Sequence, residues 1–284
     1  MKRTGLRAGV PLAPCWRMGR TLRRAAATRE MRPPVLRVGC SGWQYRHWRG
    51  DFYPNAVPAS RWLEYYASQF DTVEINNSFY RLPTAATFAT WRDRVSPEFV
   101  FAVKASRYIT HLKKLKDPVD PLERLFSRAV KLRRMLGPVL YQLPSRWPLN
   151  LGRLRQFLAA LPKRRSHAVE FRDPSWYVEE VFASLREHRV ALCLHDMADS
   201  STGLKMVGPF VYVRFHGPSK YRGAYDEERL RECAAWCAGR LRDGIPIYAY
   251  FNNDIGGHAP RDARRFRTMT VAALGRGQSL RPSR

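Results

Sequence analysis

The polar side chains with most chemical potential stand at the ends of short apolar runs: Glu74 and Asn76, Lys104, Gln142, Glu170 and Arg172, His195, Arg214 and His216, and Asn252. Glu74 and Glu170 supply two carboxylates. Such a pair works as general acid and base when a cationic neighbour lowers one pKa and burial raises the other. His216 adds a second proton carrier. Lys104, Arg172 and Arg214 bring three positive charges against those two carboxylates, and Asn76, Gln142, Asn252 and Asn253 add neutral hydrogen-bonding groups. Spare donors and spare positive charge suit an anionic ligand. Lys104 would act as a Schiff-base amine only in a setting that lowers its pKa. A Glu74 carboxylate on the neighbouring strand is expected to stabilise its ammonium instead. The competing reading is a structural layer of ion pairs, Glu74 with Lys104 and Glu170 with Arg172 or Arg214.

A metal-dependent alternative draws on Glu170, Asp196 and His216, with His195 or His258 nearby, because carboxylate and imidazole suit a divalent ion. No compact motif such as His-Glu-x-x-His occurs, so the primary expectation is no cofactor, with a divalent metal as the alternative. Aromatic residues follow the same runs: Trp43, Tyr45, Trp48, Phe79, Tyr80, Tyr108, Trp176 and Tyr221. They could stack on a ring, Tyr80 and Trp176 foremost, although long loops also need aromatic cores of their own. Backbone amides after Asn252-Asn253-Asp254, before Gly256-Gly257, could hold a phosphate. The Asp254 carboxylate weighs against it.

These side chains need a scaffold that gathers strand ends. In Thr72–Asn76 (TVEIN) the side chains alternate, so Val73 and Ile75 share one face and Glu74 and Asn76 the other. Eight stretches follow that pattern: Leu36–Cys40, Thr72–Asn76, Val100–Lys104, Val139–Leu143, Ala168–Arg172, Val190–His195, Phe210–His216 and Ile245–Asn252. Amphipathic helical patterns fill most gaps, at Ser60–Phe70, Ala85–Val95, Leu122–Leu136, Leu151–Leu161, Val178–His188, Glu227–Arg242 and Arg261–Leu274. The segment Asp196–Val207 is too short and polar for a full helix. Strand–helix alternation requires parallel strands joined by crossovers, and eight units predict a single-domain α/β (β/α)8 TIM barrel. No Gly-rich phosphate turn supports the open doubly wound sheet. Taking the apolar parity of each strand as helix-facing puts the polar set in the lumen, at the end where barrel active sites lie.

The segments CSGWQYRHWRGDFYP, TVEINNSFYRLP, FAVKASRYITH, LGPVLYQLP, EFRDPSW, YVRFHG and YAYFNNDIGGHA resemble, in order, the motifs of the YecE-like family, a TIM-barrel domain of unknown function. The resemblance runs from about Leu36 to Leu274. It implies the barrel and no reaction.

The chain of 284 residues carries a formal net charge of +26, which invites a nucleic-acid reading. Only nine of its 50 basic residues are lysine, and arginine bias on that scale can reflect base composition. Residues 1–30 read as a basic, disordered extension, with Met31 as an alternative start, 31–274 as the barrel, and 275–284 as a basic tail. Five cysteines without tight clustering suggest no disulfide framework and a reducing cytoplasm, and no apolar run suits a membrane span. Cys233 and Cys237 share a helix face and are expected to pack against the core. Oligomeric state is not legible. The sequence thus points to an enzyme, a hydrolase, lyase or isomerase, acting on a small anionic molecule with a ring. The alternatives are a metal-dependent phosphodiester hydrolase or nuclease, and a non-catalytic nucleic-acid binder.

Overall fold

The computed structural model describes residues 35–276 except 198, 199 and 220. The basic extension at 1–30 lies outside the described residues, as does the tail from 277 onward, while Gly275 and Arg276 continue the last helix. Among the described residues no helix is long and apolar enough to cross a membrane.

Eight parallel strands form the barrel: β1 (Leu36–Cys40), β2 (Thr72–Ile75), β3 (Val100–Lys104), β4 (Leu136–Gln142), β5 (His167–Glu170), β6 (Ala191–Met197), β8 (Val211–Phe215) and β9 (Ile247–Phe251). A two-residue strand, β7 (Ser200–Ser201), returns antiparallel to β6 and takes no place in the wall. The helices are α1 (Trp62–Gln69), α2 (Ala85–Asp93), α3 (Val119–Ala129), α4 (Leu151–Ala160), α5 (Glu179–Glu187), α6 (Glu227–Arg242) and α7 (His258–Arg276). No α-helix is described between β6 and β8, as the polarity of Asp196–Val207 predicts. There the chain turns back, and the Val207 carbonyl accepts from the Leu192 amide at 3.0 Å.

Three boundaries that lie at prolines differ from expectation. Gly137-Pro138 belongs to β4 and lies where the β3–β4 register shifts, so a short 3-10 stretch replaces the end of the expected helix. α3 and α7 each start three residues early, with Pro121 and Pro260 inside their first turns, where a missing N–H costs nothing.

The seam between β1 and β2 closes the barrel in an unusual way. One backbone bridge, Ser41 to Glu74, joins the two strands. Below it the Tyr66 hydroxyl of α1 enters the seam, accepting from the Cys40 amide at 2.7 Å and donating to the Thr72 carbonyl at 3.1 Å. A tyrosine thus replaces a missing ladder bond. Gly39 leaves room for it: a Cβ there would lie 2.2 Å from the Thr72 carbonyl oxygen and 2.8 Å from the Tyr66 hydroxyl. Gly39→Ala is therefore expected to cost about 1–3 kcal/mol, as overpacking in a filled interior does, and urea denaturation measures it. A loss below a few tenths of a kcal/mol would show that the seam yields freely.

Two apolar layers follow from strand alternation. Outward residues such as Val73, Ile75, Val213, Phe215 and Phe251 pack beneath the helices, with Phe251 stacked on Phe215 at 4.4 Å between ring centroids. Inward residues Ala102, Leu140, Ala168, Cys193, Tyr212 and Tyr250 fill the lower lumen. Above them the inward positions turn polar.

Candidate active site at the C-terminal mouth

Arg214, two residues along β8 from Tyr212, stands at the centre of that polar layer and is fully buried. Its guanidinium crosses the lumen to both carboxylates. Nη2 and Nε donate to Glu74 Oε1 at 2.9 and 3.2 Å, and Nη1 donates to Glu170 Oε2 at 2.8 Å. Glu74 also accepts from the Ser41 hydroxyl and, at 2.6 Å, from the Tyr212 hydroxyl. Burial and the Glu74 charge raise the Tyr212 pKa well above the ordinary phenol, so it remains a donor. Glu170 accepts a second guanidinium through Arg172 Nε. Burial pushes the Glu170 carboxyl up, but the charges of Arg172 and Arg214 outweigh it and hold the pKa well below the usual carboxylate range.

His216 sits between the two arginines. Its Nε2 faces Arg172 Nη2 at 2.8 Å and Arg214 Nη1 at 3.4 Å. Guanidinium groups only donate, so Nε2 is the lone-pair nitrogen and Nδ1 carries the proton. Asn252 Nδ2 lies 3.1 Å from Nδ1, and the same amide turned over would present its oxygen to that proton. Burial, followed by the Arg214 charge, lowers the His216 pKa to about 3, leaving the ring neutral near pH 7. His195 is likewise buried, and burial lowers its pKa to about 4.

Lys104 stands apart from this network. The β2–β3 register pairs Glu74 with Ala102 and Ile75 with Val103, which places Lys104 one layer above Glu74. The expected Glu74–Lys104 pair does not form, because Glu74 is engaged across the lumen and Lys104 lies too high. Its Nζ lies 4.2 Å from the centre of the Phe79 ring and has no hydrogen-bond acceptor among the described residues. The side chain is only 8% exposed. Burial, then the Arg214 charge, lowers its pKa to about 7, with Glu74 and Glu170 opposing and Arg172 assisting. The ammonium that the sequence led us to regard as stabilised is destabilised.

The remaining sequence candidates divide. Gln142 lies in the layer, its Oε1 3.5 Å from Arg214 Nη1. Asn76, level with Lys104, has a buried Oδ1 without a partner, and lines a cavity of about 240 Å³ with Gly42, Trp43, Tyr45 and Tyr80. Tyr80 is 72% exposed at the rim. Trp176, by contrast, is buried in loop packing: it stacks on Phe171 at 4.9 Å and donates from Nε1 to the Trp147 carbonyl at 2.7 Å. Its ring is not available to a ligand. Asn253 turns out of the lumen, donating from Nδ2 to Gly223 O and Asp262 Oδ2. The loop amides of Gly257 and Ala259 bond to Asp254 and Asn253 carbonyls, so those two do not point at a phosphate.

Asp196 points away from the lumen as well, pairing with Arg229 of α6 at 3.1 Å. The set Glu170, Asp196 and His216 is thus not assembled, and among the described residues no group of three His, Cys, Asp or Glu side chains is placed to hold a metal ion. Cys233 and Cys237 are buried in the inner face of α6. Ser41 and Tyr212 were absent from the candidates. Tyr212 shares parity with Arg214 and was legible; Ser41 lies just past β1 and gains its role only on closure.

Comparison with known proteins agrees with the barrel. A family model described as "Protein of unknown function DUF72" matches residues 37–282. The UPF0759 protein YecE of Escherichia coli K12 is 31% identical over 118 residues, a match spanning 41% of this chain and 43% of that protein. The UPF0759 protein YunF of Bacillus subtilis is 24% identical over 273 residues, covering 81% of this chain and 93% of the relative. A crystal structure of a DUF72 family protein from Thermotoga maritima superposes with a TM-score of 0.75 at 27% identity, covering 84% of this chain and 99% of that one. With the family model spanning nearly all of the described barrel, the chain belongs to the DUF72 family.

Proposed function

We propose that the protein is an enzyme that binds a small anionic molecule at the C-terminal mouth of its barrel, against Lys104. The observation that carries this reading is Lys104, a residue 8% exposed whose amine has no hydrogen-bond acceptor among the described residues, beside Glu74, Glu170 and Arg214, which satisfy one another. Lys104, Arg172 and Arg214 outnumber Glu74 and Glu170 by one charge, and both carboxylates are committed to the arginines. An anion entering beside Lys104 supplies the missing counter-charge. Asn76, on β2's end opposite Lys104 of β3, lines a cavity of about 240 Å³ together with the exposed Tyr80, whose ring offers a stacking face. The ligand that fits is therefore small, anionic and hydroxylated or ring-bearing.

Inorganic phosphate, sugar phosphates and small carboxylates, screened by thermal shift at fixed ionic strength, test this. A ligand at about 100 times its Kd is expected to add roughly 2.7 kcal/mol of stability, and Lys104→Met is expected to lose most of that response. No stabilisation by any anion, or an unchanged response in the variant, would overturn the reading.

A further inference from the structure

We infer that Lys104 is a nucleophile whose amine condenses with the carbonyl group of a small anionic substrate, an aldehyde or 2-oxo acid, to form an iminium at the barrel mouth. This deepens the proposed anion site and rests on it. The geometry isolates the amine. Every carboxylate that could fix it as an ion pair is engaged elsewhere: Glu74 by Ser41, Tyr212 and Arg214, and Glu170 by Arg172 and Arg214. The strand register lifts Nζ above that layer, where Phe79 walls one side and, among the described residues, no acceptor holds its protons.

The charged groups around it also act together. Glu74 of β2 and Glu170 of β5 favour the ammonium, while Arg172 after β5 and Arg214 of β8 oppose it. His111, in the segment after β3, feels the same positive field, from Lys104 and Arg107. Burial decides the balance, and a pKa of about 7 leaves roughly half the molecules with a free amine at neutral pH. Amines activated in this way, desolvated and beside other cations, are the ones that form Schiff bases.

The step balances without a co-reactant. The amine lone pair attacks the carbonyl carbon, the C=O π electrons move to oxygen, and a proton passes from nitrogen to that oxygen to give a carbinolamine. The nitrogen lone pair then expels the hydroxyl, which leaves as water by taking the proton that the ammonium released on becoming the free amine, so that ammonium and carbonyl give iminium and one water. The iminium draws electrons from the bond next to it, which is the chemistry of lyases and isomerases. Water reverses the condensation to release product.

Sodium borohydride tests this on the full chain, with pyruvate and glyceraldehyde 3-phosphate as carbonyl probes and lactate as a carboxylate lacking a carbonyl. Reduction is expected to fix an adduct on Lys104, mapped by peptide mass, at least tenfold above any other lysine. Trapping should slow as pH falls below about 7, and lactate should compete. Lys104→Arg keeps the charge, so it should retain the thermal response to lactate while losing the adduct. If lactate stabilises the protein but neither probe marks Lys104 preferentially, the nucleophile is overturned and the anion site stands. If lactate, phosphate and both probes have no effect, both readings fall.

Discussion

Replacing Arg214 with methionine is expected to destabilise the fold by about 3–5 kcal/mol, the usual cost of leaving buried charges without their partner. For a domain of this size that corresponds to a fall in Tm on the order of 10 °C. The size of the effect follows from geometry. One guanidinium satisfies Glu74 and Glu170 together, all three side chains have no solvent exposure, and among the described residues no second cation pairs with Glu74. Arg172 still covers Glu170 in the variant, so the loss concentrates on Glu74. Chemical denaturation at pH 7 measures it. A loss under 1 kcal/mol would mean that water or another group already serves Glu74.

A change at the other buried cation should have the opposite sign. Lys104→Met is expected to be more stable than the parent near neutral pH, because the folded state penalises the lysine's charge. The lysine pKa is lowered from 10.5 to about 7 on folding. Below about 7 both states are protonated and the penalty is complete. Between about 7 and 10.5 the native state has shed the proton while the unfolded chain keeps it, so stability climbs with pH. Above 10.5 neither state is charged and the penalty is gone. A shift of that size corresponds to a penalty on the order of 5 kcal/mol. Denaturation midpoints at pH 6, 8 and 10 should rise for the parent, with a flatter profile for Lys104→Met. Parallel profiles would show that the ammonium is well accommodated after all. The two variants together separate a side chain that holds the barrel together from one kept at a cost to stability, and the second kind belongs to a site.

Strand parity carried most of what the sequence revealed. Alternation alone placed Glu74, Lys104, Gln142, Glu170, His195 and Arg214 on inward faces, and the eight repeated units led to the barrel, since both follow from local periodicity. Pairing was less legible. The sequence suggested a Glu74–Lys104 neighbour pair, but register, which no single strand encodes, sets those residues in different layers. Across a closed lumen, a residue 140 positions away lies nearer than one on the next strand. Trp176 and Asn253 were misread for a related reason. Each follows a strand end, but loop packing turns Trp176 under Trp147 and draws Asn253 to Asp262 of α7. Ser41 could be recognised only once β1 met β2.

The position of Arg214 in the chain has a consequence for how the molecule is made. Both of its carboxylate partners are synthesised first: Glu74 precedes it by 140 residues and Glu170 by 44. Until β8 leaves the ribosome, Glu170 has Arg172 beside it but Glu74 lacks its guanidinium and cannot be sequestered from water without loss, so a premature half-barrel is discouraged from collapsing around Glu74. The residue that completes the layer arrives late and joins four strands at once, through Ser41, Glu74 and Glu170. Closure of the lumen thus waits on β8, and a chain stopped before Val211 lacks the guanidinium that Glu74 pairs with.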